Sequence, residues 1–166
     1  MARWKWQFKA ALAFLVGSML AGFFRPVAVL EVRSLPSRTL LFRALLPTSE
    51  RFELRYTHSW DRTPVWEVFT VNARGDLILV EEDYLWMGAG LDFQPAADFD
   101  FSGERVRVRR NRHVGELRLA VGTVADHRLV VGSREVPLNG FAPSGSKVLL
   151  RARRLPWIVS LFGPNP

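Results

Sequence analysis

The residues best suited to chemistry lie between Tyr56 and Glu67. Tyr56, His58, Ser59, Asp61, Arg62, Thr63 and Glu67 fall within twelve positions, beside Trp60 and Trp66. A phenol, an imidazole, a hydroxyl and carboxylates at this density suit proton exchange, hydrogen bonding to a ligand, or charge pairing. A Ser59–His–Asp126 hydrolase triad is a poor fit. Ser59 lacks the glycine-flanked turn that presents a nucleophile, and neighbours on a strand point to opposite faces. Three histidines far apart, without ligand spacing, are weak evidence for zinc, and the absence of cysteine removes thiolate chemistry and disulfides. No catalytic residue, metal ligand or cofactor site is assigned. The candidates for a ligand or partner site are Tyr56, His58, Ser59, Glu67 and His127.

These side chains are brought together only if their strands pair in a particular way. Phe52, Leu54 and Tyr56 alternate with Glu53 and Arg55, and Val65–Val71 alternates similarly. A hairpin centred on Asp61 and Arg62 sets Phe52 opposite Val71, Leu54 opposite Phe69, Tyr56 opposite Glu67 and His58 opposite Val65. All eight then share one face, with His58 and Glu67 as diagonal neighbours. His127 is in phase with Leu129 and Val131, so it also points inward. Three readings of this cluster stand side by side: a satisfied core network, a ligand or partner site, and a metal site.

Short alternating runs fill the rest of the chain after Pro26. They include Val27–Arg33, Thr39–Leu45, Leu77–Glu82, Val106–Arg109, Leu117–Val121, Leu129–Val131, Val136–Leu138 and Val148–Ala152. Glycine, proline, asparagine and aspartate punctuate them. Eight to ten short strands at this spacing predict an all-β fold, an antiparallel sandwich or small barrel. Gly88–Gly103 reads as a long irregular connection. Gly88-Ala89-Gly90 begins like a nucleotide-binding loop, but Phe93 replaces the third glycine and no helical pattern follows. Arg105, Arg107 and Arg109 read as the solvent face of a strand, with anionic lipid or an acidic partner as their other use. Residues 26–166 form one domain in this reading.

The N-terminal segment has a different character. Ala10–Phe24 is an uncharged, largely apolar run, flanked by Arg3, Lys5, Lys9 and Arg25. It predicts one hydrophobic helix in residues 1–25, acting as an uncleaved inner-membrane anchor with the C-terminal domain in the periplasm. A cleaved signal leading to a periplasmic protein is the alternative. Those four cations also account for much of the net charge of +7: without them 19 basic residues face 16 acidic ones. The remaining +3 carries no basic helix or RNA-reading motif, which argues against a nucleic-acid partner.

Phe52, Leu54, Tyr56, His58-Ser59, Thr63-Pro64-Val65, Glu67, Gly75-Asp76-Leu77, Gly88-Ala89-Gly90-Leu91 and Asp126-His127 occur in an order that resembles one bacterial family. It is the family catalogued as domain of unknown function 1850, and the resemblance covers roughly residues 27 to 154. The family carries a proline after Gly-Ala-Gly-Leu where this chain has Asp92. The resemblance implies an accessory role beside the permease and solute-binding protein of a TAXI-type TRAP (tripartite ATP-independent) transporter. It implies no enzymatic activity. The alternatives are a periplasmic module gripping a small ligand, or a hydrolase using His58, Glu67 and His127.

Overall fold

The computed structural model describes residues 2–85 and 97–162. Helix α1 (Ala2–Phe23) precedes eleven strands: β1 (Pro26–Leu35), β2 (Leu40–Leu45), β3 (Arg51–Thr57), β4 (Pro64–Val71), β5 (Leu77–Tyr84), β6 (Asp98–Asp100), β7 (Val106–Gly115), β8 (Leu117–Ala120), β9 (Arg128–Val131), β10 (Arg134–Pro137) and β11 (Lys147–Pro156). A 3-10 turn, Leu138–Gly140, precedes β11, and a single helical turn, α2 (Trp157–Ser160), follows it. The expected strands are all present. Within the expected irregular connection, β6 adds a short edge strand, while Gly88–Gly90, Asp92 and Phe93 lie outside the described residues.

Two antiparallel sheets form a sandwich rather than a barrel. The smaller runs β2-β1-β11-β8 and the larger β10-β9-β3-β4-β5-β7-β6. Alternation explains the layers. Leu30 and Val32 of β1 and Val148 and Leu150 of β11 meet Phe52, Leu54, Phe69 and Leu79 of the larger sheet in one core. Phe52 and Phe69 are direct cross-strand partners whose rings stack 5.2 Å apart. Full burial of such a side chain contributes about 1.5–3 kcal/mol.

β1 is buried on both faces from Ala28 to Val32, as an apolar run interrupted only by Glu31 demands. Glu31 points away from the core and is fully buried, so it requires partners. Arg33, Arg43 and Arg151 supply them at 3.0, 2.7 and 3.0 Å. The α2 segment closes over this sheet's outer side, where the Phe162 carbonyl accepts from Arg43 at 2.6 Å.

The membrane-anchor expectation is corrected by α1. No helix among the described residues is long and apolar enough to cross a membrane. Arg3, Lys5 and Lys9 occupy the first part of this 22-residue helix. Its uncharged remainder is about 21 Å long, short of a hydrocarbon core of about 30 Å. A single-pass inner-membrane location is therefore not supported. The α1 side chains Phe14, Leu15 and Met19 are exposed, and Phe23 meets Trp157 of α2.

Candidate functional site

The expected β3–β4 hairpin forms, but its turn centres on Trp60 and Asp61, one position before the Asp61–Arg62 centre expected, so its register differs. Phe52 faces Phe69, Leu54 faces Glu67 and Tyr56 faces Val65. The shift from the expected pairing is even, so every side chain keeps its face while its neighbours change. Asp61 is the cause. Its Oδ1 accepts from the Thr63 backbone N–H at 3.1 Å, the Thr63 hydroxyl at 2.8 Å and His58 Nδ1 at 3.1 Å. His58 N–H donates to the Thr63 carbonyl and Arg62 adopts φ of 59°, which together close the turn one position earlier. His58 is thereby paired with Asp61, not with Glu67 as expected.

Glu67 receives the Tyr56 hydroxyl at 3.2 Å, now as a diagonal neighbour. Its direct partner on the other side is Glu82 of β5. That second carboxylate reaches the inward face through a bulge. Leu77 and Leu79 point into the core, pairing slips between Val68 and Phe69, and Val80 is the extra residue. Beyond it the even positions turn inward, so Glu82 is only 3% exposed. Tyr84 follows in phase and donates to Glu82 at 2.9 Å, and Arg110 of β7 forms an ion pair with Glu82. Unbroken alternation from Leu77 places Glu82 and Tyr84 on the solvent face, and Arg110 lies just past the expected run Val106–Arg109, so all three were absent from the sequence-derived set.

His127 lies half-buried with its ring 5.6 Å from that of Tyr56, and its Nδ1 is buried without a hydrogen-bond partner among the described residues. Burial pushes the imidazole below its ordinary range, against the nearby Asp126 charge. Burial, reinforced by Glu67, pushes the Tyr56 hydroxyl up, and burial with Glu82 does the same to Tyr84. Glu67 is raised to about 7, first by burial and then by Glu82, against Tyr56, Arg112 and Arg110. Ser59 is exposed on the turn and does not join the cluster. Of the five candidates, then, Tyr56, Glu67 and His127 come together, while His58 and Ser59 stay at the hairpin tip. The third histidine, His113, pairs separately with Asp76 at 3.1 Å. Among the described residues no group of three or more acidic or histidine side chains is arranged to hold a metal.

The family model described as Domain of unknown function (DUF1850) matches residues 52–138, more than half of the chain. The chain belongs to this family. No curated protein and no solved structure matches it. The DUF1850 match is narrower than the 27–154 that the motifs suggested, and it contains the whole Tyr56–Glu67–Glu82–Tyr84–Arg110–His127 cluster. Glu31 and its three arginines lie outside it.

On the outer face of the DUF1850 segment, charges pair across strands. Arg107 meets Asp83 at 3.0 Å, Arg109 meets Glu81 at 3.3 Å, and Arg128 meets Glu135 at 3.0 Å. Arg105 stacks over Trp66 at 4.1 Å and donates to the Pro64 and Asp83 carbonyls. The arginines expected on a solvent face are there, each already matched to acidic or aromatic neighbours. A cavity of about 490 Å³ lies elsewhere, where Val27, Leu46 and Pro47 approach Trp157.

Proposed function

We propose that this DUF1850 protein is a binding component without chemistry of its own, accessory to a TAXI-type TRAP transporter and contacting its permease or solute receptor. One observation carries the absence of chemistry: apart from His127 Nδ1, the polar groups of the cluster and the hairpin tip are spent on one another. Tyr56 is committed to Glu67, Tyr84 and Arg110 to Glu82, and His58 to Asp61. A nucleophile or general base needs a face left open to substrate, and Glu82, at the centre of the cluster, is nearly sealed from solvent. Two open sheets also lack the barrel mouth in which a small ligand is usually gripped.

The test is co-expression of the tagged full-length protein with the TAXI-type permease and solute receptor of its own organism. The reading expects either subunit to co-elute in defined stoichiometry, and solute uptake to fall when the protein is deleted. Normal uptake in the deletion strain, or elution without both subunits, would overturn it.

A further inference from the structure

Glu67 and Glu82 are direct cross-strand partners on the inward face of β4 and β5. The charged and titratable groups facing them can be named strand by strand. β3 offers the Tyr56 hydroxyl to Glu67, and β5 offers Tyr84 to Glu82. β7 supplies Arg110, in contact with Glu82, and Arg112, which acts on Glu67 only through its field. The segment before β9 sets the His127 ring against Tyr56. Two carboxyl groups therefore share one guanidinium in contact, and that one is taken by Glu82. Glu67 is left with a neutral hydroxyl.

Like charges directly opposite on paired strands repel, and a carboxyl group withdrawn from water keeps its proton unless a cation meets it. We propose that the Glu67–Glu82 pair is a proton-binding site that governs how firmly the β3–β4 hairpin is held against β5. With the proton on Glu67 the pair carries one charge, balanced by Arg110. When the proton passes to bulk water, two anions face each other and the hairpin end loosens. Burial and Glu82 hold Glu67 at about 7, so this exchange falls near neutrality. The hairpin tip carries Trp60, 87% exposed, so the site couples solution pH to the presentation of an aromatic side chain. This inference is independent of the transporter reading.

The experiment follows the side-chain carboxyl carbons of the full-length protein by NMR from about pH 4 to about pH 9, with amide exchange protection across Tyr56 and Val65–Phe69. Glu67 should titrate near neutrality, and protection there should drop about tenfold as it does so, one pKa unit of coupling being a factor of ten. Glu67→Gln, which keeps the uncharged form, should hold its protection across the range. Titration of Glu67 in the ordinary carboxyl range would overturn the proposal, and so would an equal loss of protection in Glu67→Gln. The carboxyl titration of the unsubstituted protein decides the matter even if the variant does not fold.

Discussion

Glu31 and Glu67 are both glutamates withdrawn from water, and they behave in opposite ways because of what faces them. Burial alone would raise Glu31, but hydrogen bonds from Arg33, Arg43 and Arg151 outweigh it and hold the carboxyl at about 2. Glu67 meets a hydroxyl and a second carboxylate, and is raised. Glu31→Ala leaves Arg33 and Arg43 partly buried with no anion and Arg151 with only Glu116 at 3.9 Å, and should cost about 3–5 kcal/mol in denaturant unfolding. The smaller contact between Tyr56 and Glu67 belongs in a double-mutant cycle. Tyr56→Phe and Glu67→Gln should show a coupling of about 0.5–1.5 kcal/mol, whereas His58→Ala and Glu67→Gln should add within about 0.5 kcal/mol. Coupling in the second pair would contradict the His58–Asp61 contact. Tyr56, Glu67 and His127 were readable because strand phase alone puts them inward. Glu31 also gave a signal, as the single charge in an apolar run, but its arginines come from three strands and pairing must be known before they can be assigned.

At the scale of elements, alternation located strands well and connections poorly. Phe52, Leu54 and Phe69 share one face in any register that differs by an even number of residues, which explains why the layer assignment survived a pairing wrong by two. The register itself depends on Asp61, whose three acceptor bonds decide where the turn closes. Asp61→Ala should therefore loosen the hairpin tip first, costing about 1–2 kcal/mol and lowering exchange protection at His58 and Thr63 before that at Phe52 and Phe69. Loss of protection spread evenly over β3 and β4 would argue against the turn as the anchor. The bulge at Val80 is the feature that pattern reading could not supply. A bulge is one residue of slack, decided by what the flanking strands can pack, and nothing in Leu77–Tyr84 marks it. Glu82 and Tyr84 were hidden by that single residue, whereas Arg110 is in phase with Val106 and Val108 on β7 and lies one position past the run Val106–Arg109.

For the whole molecule, the two glutamates shape the response to pH from opposite sides. Glu31 is lowered in the folded state, so its contribution is complete above the ordinary carboxyl range of about 4.5 and is lost as pH falls toward about 2. Glu67 is raised, so its contribution is complete below about 4.5 and is lost as pH rises through about 7. The melting temperature should then peak in mildly acidic solution, with Glu67→Gln flattening only the alkaline limb. A peak above neutrality in the unsubstituted protein would show that other groups dominate. The exposed apolar side chains include Phe14, Leu15 and Met19 on α1, and Trp60, Leu85 and Phe101 on the connections of the larger sheet.

β1 pairs along its whole length with β11, from Pro26 against Pro156 to Leu35 against Lys147. Glu31 and Arg151, bonded across that ladder, stand 120 positions apart. On the ribosome, β1 must therefore emerge early and wait, its inner ladder edge unpaired, until nearly the entire chain has been made. A doubly apolar strand left open for that interval is a template for the wrong partner. Much of the difficulty of producing this protein should thus arise before it is finished. A chain cut short ahead of Lys147 should aggregate through β1, and supplying the β11 segment as a separate peptide should rescue it.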